Sequence, residues 1–314
     1  MNRTKYFCTI ICLLLLSLSS CIKEDVTGCA QSVSFTFRDS GNDPHWPIGN
    51  GDLQSLTVYV FDENDNYIKS IQFTNPGLDT PYTKDASDNP IALDPGAYSF
   101  VVWSNVMPTA YNVDVKQTPP CPRIEDYLSV ATQGSRSAGV GIVSQTANLP
   151  LARLFYSEKD TIVGNGSNNV VFDLFENSNL LNIKVVGLPF SAENSMYTFI
   201  VEDSNGKYNF NNDFGDVLHD VAYQTVSTYT AAADTLSAQL TVLKLAQGRQ
   251  NPPQLVIYEG PNTVTQIFNA NLLDLINPST DFNKTHVYDI LIEYRPDGSI
   301  VVTINGWKVN DIYM

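Results

Sequence analysis

Apolar and polar residues alternate with a period of two along most of this chain. The first such run places Val33, Phe35 and Phe37 on one side, and two serines and a threonine on the other. Because successive side chains of an extended chain point to opposite faces, this alternation predicts a strand with one buried face. Similar runs in the first half of the chain cover residues 53–61, 67–73, 98–103 and 147–156.

The second half of the chain repeats this pattern. Its alternating or short apolar runs cover residues 170–175, 180–188, 197–202, 236–242, 255–258, 286–294 and 300–309. The one convincing helix is short, from Asn269 to Ile276, and Pro278 follows it. Many short strands, separated by turn sequences and accompanied by little helix, predict an all-β fold of two β-sandwiches in tandem.

A stretch without any apolar side chain, residues 164–169, divides the two sets of strands. Its glycines, asparagines and serine are typical of a turn or linker. We therefore expect a linker at 164–169 between an N-terminal sandwich domain at 32–163 and a C-terminal sandwich domain at 170–314.

The beginning of the chain has a different pattern. Two basic residues precede an apolar run at 6–18, and two serines and Cys21 follow it. The run is shorter than the roughly 20 residues that span a bilayer, which favours a secretion signal over a transmembrane helix. The small residues before Cys21 resemble a bacterial lipobox, so we expect a signal peptide at 1–20 and acylation of Cys21. A simple secreted protein is the alternative.

A charged segment follows the signal, and residues 21–31 are interpreted as a lipidated tether. Lys23, Glu24 and Asp25 after Cys21 resemble the signal that sends lipoproteins of the Bacteroides group to the outside of the outer membrane. A solvated charged linker is the alternative interpretation.

Cys29 and Cys121 are the cysteines that remain once the signal is removed and Cys21 is acylated. Export permits a disulfide between them, because disulfides persist in oxidising compartments. Two unpaired thiols are the alternative, and both states stay open at this point.

Composition favours a folded, exported protein. The 314 residues are 43% hydrophobic and 11% aromatic, which is enough apolar material for real cores and argues against disorder. The formal net charge of −15 argues against binding to nucleic acid, and against direct adhesion of the protein surface to anionic lipid. Membrane attachment would therefore depend on the acyl chains.

Recognisable catalytic and cofactor-binding motifs are absent from the sequence. The three histidines, His45, His219 and His286, show no metal-ligand spacing, and no nucleophile elbow or phosphate-binding loop is found. We therefore predict no enzyme, no cofactor and no metal site. The acidic run at 62–66 is interpreted as a hairpin turn, because it lacks the glycine and the distant glutamate of a calcium-binding loop.

Several short motifs follow one another in order over nearly the whole chain. They are Cys21 with the early Cys29, Leu-Thr-Val-Tyr-Val-Phe-Asp at 56–62, Leu-Asp-Pro-Gly-Ala-Tyr at 93–98, Val-Val-Trp-Ser-Asn at 101–105, the segments 181–188 and 197–207, and the closing 290–307. Their order resembles the fimbrial anchor subunits of the Bacteroides and Porphyromonas group, the minor-fimbrium anchor family. One departure is the lack of an evident arginine at 176–180.

This resemblance implies two transthyretin-like β-sandwich domains with Greek-key topology, and a lipoprotein of the outer membrane at the foot of a fimbrium, facing the cell exterior. Subunits in this family are joined by strand donation, in which an extended segment of a neighbour fills an open groove. An anchor keeps its own first strand and ends growth. The retained strand is identified here with Val33, Phe35 and Phe37.

The partner implied by the resemblance is a fimbrial stalk pilin. Residues 300–304 are expected to form the last strand of their own domain, and the chain after them is expected to be freer. The residues expected to contact the pilin are Trp307, Val309, Ile312 and Tyr313.

Two alternatives follow from other residues. Arg38 offers a trypsin-like processing site, which would remove the first strand and make the protein a polymerising or tip subunit. A surface glycan-binding lipoprotein is the second alternative, with Trp46 or Trp103 as a sugar platform and an unidentified host or glycan ligand. Tyr98, Trp103 and Trp307 are further candidates for such a platform, but aromatic residues in strands more often belong to the core, and for these three residues we favour the core.

Two threonines match a short modification pattern. Thr161 and Thr235 each follow an aspartate and precede an aliphatic residue, which resembles an O-glycosylation motif of the same bacterial group. Ordinary strand or turn residues are the alternative.

Overall fold

The computed structural model describes residues 30–41, 43–49, 51–115, 127–137, 140–146, 150–164, 166, 168–188, 195–214, 220–229, 234–246, 251–260 and 265–312. Nearly all regular structure in these ranges is β-strand, which confirms the all-β prediction. The first twelve strands are β1 (Gln31–Asp39), β2 (Ser55–Phe61), β3 (Tyr67–Thr74), β4 (Pro81–Tyr82), β5 (Ala92–Leu93), β6 (Gly96–Ser104), β7 (Tyr111–Asp114), β8 (Tyr127–Val130), β9 (Ser135–Ser137), β10 (Val140–Ser144), β11 (Phe155–Val163) and β12 (Asn168–Glu176).

The rest of the described chain contains ten more strands and one short helix. They are β13 (Ser178–Val186), β14 (Met196–Asp203), β15 (Lys207–Asn209), β16 (Val221–Thr228), β17 (Thr235–Leu243), β18 (Gln254–Glu259), β19 (Thr265–Asn271), α1 (Leu272–Leu275), β20 (Val287–Tyr294), β21 (Ile300–Ile304) and β22 (Trp307–Ile312).

The first sheet has eight strands and curls around its own core. Its order is β3-β2-β6-β11-β12-β1-β4, with β5 also paired to β1. The rings of Phe35 on β1 and Phe73 on β3 lie 6.2 Å apart, although these strands are distant in the sheet order. The sheet therefore folds back on itself, and we call this sheet with its core the first sandwich.

Two further sheets enclose a second core. One has the order β19-β18-β14-β16-β10-β9, and the other has the order β17-β13-β20-β21-β22. Alternate residues of β13, Leu181, Ile183 and Val185, share this core with Phe199 and Val201 of β14. This period-two burial is the pattern that the sequence displays. We call these two sheets the second sandwich.

A small sheet of order β15-β8-β7 lies between the two sandwiches. The ring of Phe210, next to β15, lies 4.9 Å from Tyr59 and 6.0 Å from Phe61 on β2. Trp103 on β6 lies 5.9 Å from Tyr208 on β15. The outer face of β2 and β6 is thus covered, and the two sandwiches are packed against each other through apolar contacts.

The boundary between the sandwiches is not at the expected linker, 164–169. That stretch begins directly after β11 and includes the first two residues of β12. These strands are antiparallel neighbours in one sheet, and β12 adds Val170, Phe172 and Leu174 to the first core. The chain leaves the first sheet at Asn177 instead. A polar turn within a sheet has the same composition as a linker, so the sequence pattern does not distinguish them.

Part of the expected N-terminal domain also belongs to the other half of the molecule. β8 pairs with β15, and β10 pairs in parallel with β16, so residues between β6 and β11 join the second half of the molecule. Such pairings between strands distant in sequence leave no local signal. The transthyretin-like and Greek-key details stay predictions.

The helix expected at 269–276 is shorter in the structure. β19 continues to Asn271, and α1 begins at Leu272. The Asn271 side chain accepts a hydrogen bond from the backbone N–H of Leu273 at 2.9 Å, which caps the helix. Leu272 and Leu275 are buried in the second core.

The acidic run 62–66 forms the turn of the β2–β3 hairpin. Asp62 Oδ1 accepts hydrogen bonds from the backbone N–H groups of Asn64 and Asn66, at 2.8 and 2.9 Å. Asp65 adopts a φ of 60°, a conformation that aspartate tolerates in turns. The Asp62 carboxylate is therefore used by the turn itself.

Candidate assembly interface

β1 is seated deep in the first sandwich. Val33, Phe35 and Phe37 are each 0% exposed. The ring of Phe35 lies 5.6 Å from that of Phe100 and 5.3 Å from that of Phe172, both in edge-to-face geometry. The sequence prediction placed these three β1 residues on one face, and the structure brings them together in the core.

The backbone of β1 is paired on both sides. β12 lies parallel to it in an unbroken register from Val33 opposite Asn168 to Asp39 opposite Leu174. On the other side β4 and β5 each contribute two antiparallel pairs. Hydrogen bonds from the Ser34 and Thr36 hydroxyls to one neighbouring asparagine side chain add to this pairing, at 3.0 and 3.2 Å.

Arg38 lies inside β1, near its end. Its backbone is in register with Asp173 of β12, while its side chain is about half exposed and lies 3.4 Å from the carboxylate of Asp79. The backbone N–H of Asp79 also donates to the carbonyl oxygen of Phe37 at 2.8 Å. A protease that cleaves after Arg38 would have to separate this strand from its neighbours first.

β22 is the edge strand of its sheet. It pairs antiparallel with β21, with Ile304 opposite Trp307 and Val302 opposite Val309. In the described part of the chain, the sheet order ends at β22, so its outer backbone edge has no strand beside it. An edge strand with unpaired backbone groups is a template for pairing with another chain.

The two predicted contact residues of β22 that are described differ in exposure. Trp307 is 43% exposed and lines a cavity of about 380 Å³ together with Ile276, Tyr288 and Ile304. Val309 is partly buried against the second core. The chain at Trp307–Ile312 is therefore not the free segment that the sequence suggested, because it forms a strand. The Ile312 side chain and Tyr313 lie outside the described residues.

A buried ion pair lies where the first sandwich meets β13. Arg153, just before β11, donates to Glu176 at the end of β12 through Nη2 and, at 3.0 Å, through Nε. Its Nη1 donates to Asp52 at 2.6 Å, and its guanidinium stacks 3.8 Å from the ring centre of Trp46. Ser178, the first residue of β13, donates to the other oxygen of Glu176. We call these five residues the junction cluster.

Burial dominates the electrostatics of the junction cluster. The Glu176 side chain is 0% exposed and that of Arg153 is 7% exposed. Burial raises the pKa of Glu176 to about 7, although hydrogen bonds from Arg153 and Ser178 act in the opposite direction. The carboxylate therefore depends on Arg153 for its charge.

A second polar contact links the segment after β1 to the residue just before β20. Asp43 accepts a hydrogen bond from the backbone N–H of His286 at 3.0 Å. The His286 ring lies with Nδ1 3.3 Å from the side-chain nitrogen of Asn179, and with Nε2 3.2 Å from the carbonyl oxygen of Asn283. A neutral ring that accepts at Nδ1 and donates at Nε2 satisfies both partners.

The pKa of His286 agrees with a neutral ring. Burial and then the nearby charge of Lys244 lower this pKa to about 4, although the hydrogen bond to Asn283 and the charge of Asp43 act in the opposite direction. Protonation would place two donors face to face at Nδ1, because Asn179 presents its amide nitrogen there.

The aromatic residues considered for a sugar platform are dispersed. Trp103 is 0% exposed and belongs to the core, as expected. Trp46 packs against the Arg153 guanidinium instead of standing free on the surface. Trp307 lies on the edge strand β22, in a different sheet from Trp103, and at 43% exposure it does not have the core position expected for it. Trp46 lies outside the strands. No shared aromatic surface is formed by these three residues.

Several predicted residues lie outside the described part of the chain. These are Cys21, Lys23, Glu24, Asp25, Cys29 and Cys121. Lipidation, export and disulfide formation therefore stay predictions. Thr161 and Thr235 are described, and both are partly exposed residues of strands, on β11 and β17. Among the described residues, no helix has the length and hydrophobicity to cross a membrane, and no three His, Cys, Asp or Glu residues are grouped as metal ligands would be.

Sequence reasoning missed the junction cluster and the Asp43–His286 contact. Arg153 and Glu176 are 23 residues apart, and Asp43 and His286 are 243 apart. Charged residues are expected to be exposed to solvent unless the fold pairs them with each other. The only available signal was that Arg153 and Glu176 each border an apolar run, where a chain enters or leaves a core.

Comparisons with known proteins agree with the architecture. The family model of fimbrillin-A associated anchor proteins Mfa1 and Mfa2 matches residues 26–313. A search of curated protein sequences finds no match.

Three solved structures share the fold. A candidate adhesin from Bacteroides thetaiotaomicron matches with a TM-score of 0.67 and 16% identity, over 92% of this chain and 100% of that chain. A candidate polysaccharide-binding protein from the same species has a TM-score of 0.67 and 15% identity, over 90% and 98% of the two chains. The fimbrial anchor protein Mfa2 from Porphyromonas gingivalis has a TM-score of 0.65 and 19% identity, over 90% and 100%.

Proposed function

Because this chain belongs to the family of fimbrillin-A associated anchor proteins, we propose that it is a lipoprotein that holds a fimbrium at the outer membrane and ends its assembly. Family membership makes it a fimbria-associated surface protein of structural type, with fimbrillin stalk proteins as the class of partner. The proposal adds the lipid attachment, the retained strand and the surface that meets the next subunit.

The observation that carries the proposal is the seating of β1. Val33, Phe35 and Phe37 are fully buried in the first core, and β1 pairs with β12 along one backbone edge and with β4 and β5 on the other. A donated strand needs a groove with free backbone groups and empty side-chain pockets. While β1 stays in place, this site offers neither, so no further subunit would be added there.

Retention of β1 also keeps the lipid in place. Cys21 precedes β1 by only ten residues, so an acylated Cys21 stays joined to the folded protein as long as the chain is uncut before β1 and within it. Each buried methylene of an acyl chain contributes about 0.8 kcal/mol to membrane attachment, so two or three chains would hold the protein firmly. Cleavage after Arg38 would remove the anchor and the strand together.

The outer edge of β22 is the proposed contact for the stalk pilin. Its backbone edge is uncovered in the described chain, and Trp307 beside it is an exposed apolar side chain. Pairing by strand addition draws its affinity from backbone hydrogen bonds and its specificity from such side chains.

Extraction of the native protein from its outer membrane tests the whole proposal. Intact mass and N-terminal sequencing should show an acylated Cys21, and pilins should copurify. A mature protein that begins at Asp39 would overturn the anchor role and establish a polymerising or tip subunit. An acylated protein that never copurifies with pilins would overturn the fimbrial contact and favour glycan binding.

A substitution on β22 tests the contact surface separately. We expect Trp307→Ser to reduce the amount of pilin that copurifies, while the protein stays folded and acylated. Ile162→Ser is the matched control, because Ile162 is also an exposed apolar residue, at 77%, but lies on β11 of the other sandwich. If both variants lose the same amount of pilin, or if neither variant loses any, the assignment to β22 is contradicted.

A further inference from the structure

β1 and β12 are aligned so that tension along the chain would load them in shear. They run parallel, with Val33 opposite Asn168 near their starts and Asp39 opposite Leu174 near their ends. The start of β1 therefore lies at one end of the sheet, and the end of β12 lies at the other.

In the described chain, three passages lead from one sandwich to the other. All three lie at the same end of the first sheet, opposite to the end where β1 starts. They follow β6, precede β11 and follow β12. Phe155 at the start of β11 pairs with Glu176 at the end of β12, and Tyr156 pairs with Trp103 near the end of β6. These pairs place all three passages side by side. A force transmitted through the second sandwich would therefore reach the first sandwich at that end.

The segment that follows β1 is fixed to the same end. Asp43 accepts the backbone N–H of His286 at 3.0 Å. Arg153 donates to the carbonyl oxygens of Trp46 and Pro47, at 2.8 and 3.0 Å. When the residues before β1 are pulled, the pairing with β12 therefore resists the pull along β1. The contacts of the segment after β1 resist it as well.

Direction decides how strongly two paired strands resist a pull. When they are pulled along their length in opposite directions, the bridging hydrogen bonds and side-chain contacts must give way together. When they are pulled apart sideways at one end, the same contacts break one after another. Here the register spans seven successive pairs, and the rings of Phe35 and Phe37 would have to slide past Phe172 in the same step. Forced unfolding is governed by the height of this barrier.

We propose that β1 and β12 form a tension clamp, which transmits force from the N-terminal tether into the second sandwich. The proposal rests on the proposed function for the source of the force, since a lipid at Cys21 and a fimbrium on the second sandwich pull in opposite directions. It gives the retained strand a second role, because β1 would both close the groove and bear the pull on the anchor.

Single-molecule force spectroscopy on residues 21–314 tests the clamp, with Cys21, Cys29 and Cys121 replaced by serine. In the first pulling geometry the handles are attached at the two chain ends, which loads β1 and β12 in shear. In the second geometry one handle is at the N-terminus and the other is on Gly164→Cys, which lies at the same end of the sheet as the start of β1. A cysteine fits there, because no atom lies within 4 Å of the added Cβ. We expect a several-fold higher first rupture force in the first geometry.

Two substitutions locate the resistance. Phe37→Leu should lower the rupture force between the chain ends, and Phe268→Leu should leave it unchanged. Phe268 is an equally buried phenylalanine, at 0% exposure, in the second sandwich on β19. Leucine keeps both cores filled well enough to fold, and circular dichroism checks this for each variant.

Three outcomes would overturn the proposal. The first is equal rupture forces in the two pulling geometries, and the second is a larger effect of Phe268→Leu than of Phe37→Leu. The third comes from the chain with Cys29 and Cys121 intact: a first rupture that occurs only after reductant is added would place the load on a bridge between these cysteines instead of on β1. None of these measurements depends on acylation or on a pilin, so failure of the clamp is distinguishable from failure of the anchor role.

Discussion

Arg153 makes the junction cluster possible, because it is the cation beside a carboxylate with no access to water. Glu176 is 0% exposed, and burial alone would keep it protonated at neutral pH. The guanidinium satisfies Glu176, Asp52 and two backbone carbonyl groups with its planar set of donors. Such a pair is weak evidence for high stability, but removal of one partner is costly.

We expect Arg153→Met to lower the free energy of unfolding by about 3–5 kcal/mol, because Glu176 is then left buried without its cation. Urea denaturation measures this loss. Adding Glu176→Gln to the variant should restore part of it, since the amide needs no counter-charge.

Arg38→Met is the matched control for this substitution. Its ion pair with Asp79 is exposed, so its loss should change stability by no more than about 1 kcal/mol. If Arg38→Met and Arg153→Met lower the free energy of unfolding by similar amounts, burial of the Arg153 ion pair does not determine its effect on stability.

His286 predicts a pH dependence of stability. Its pKa is lowered to about 4 in the folded protein, so between about pH 6.5 and 4 the unfolded chain takes up a proton that the folded chain does not. The free energy of unfolding therefore falls as the pH falls through this window, by at most about 3 kcal/mol from this group. The charged groups that act on its pKa are Lys244, Asp43 and Arg153.

Urea denaturation at several pH values measures this dependence, and His286→Gln should remove it. Glu176 acts in the opposite direction over an overlapping range, because its pKa is raised to about 7. The comparison of wild type with His286→Gln isolates the histidine, since both proteins keep Glu176. His45→Gln, at an exposed histidine, is the control and should follow the wild type. Parallel curves for wild type and His286→Gln would refute the prediction.

At the scale of secondary-structure elements, β1 decides whether Arg38 is a processing site in the folded protein. A protease needs an extended segment free of its neighbours, but the backbone around Arg38 is paired with β12. Freeing the strand exposes Val33, Phe35 and Phe37, at a cost on the order of 5 kcal/mol.

Limited trypsin digestion tests this protection of β1. The native protein should be cut at Lys284 before Arg38, because Lys284 lies in an exposed turn between α1 and β20 and its side chain is 78% exposed. Phe35→Ala should speed the cut at Arg38, since it weakens the seating of the strand. Mass spectrometry of the fragments over time gives both rates. Cleavage at Arg38 as fast as at Lys284 would favour the polymerising alternative.

At the scale of the whole molecule, the proposed attachment depends on a residue far from either core. Cys21→Ala should move the protein from the outer-membrane fraction into the soluble fraction, because the acyl chains are its only proposed hold on the membrane. Cys29→Ala is the matched control and should stay with the membrane. Fractionation followed by immunoblotting measures both variants, and membrane retention of Cys21→Ala would contradict the lipoprotein assignment.

The alternation of apolar and polar residues was sufficient to predict the strands and their buried faces. It predicted that Val33, Phe35 and Phe37 share one face of a strand, and that residues 300–304 form another strand. It also identified the acidic turn at 62–66. Each of these features depends on residues close together in sequence, so a local pattern contains the necessary information.

Pairing between distant strands was decided only by the tertiary structure. The parallel partner of β1 is β12, more than 130 residues away, and the polar stretch at 164–169 joins two strands of the same sheet. The junction cluster and the His286 contact likewise depend on chain segments that meet only after folding. The sequence by itself determined which side chains are buried, because burial follows from the polarity of each residue and its position in the alternating pattern. Which buried residues meet depends on how the sheets close, and no local pattern encodes that.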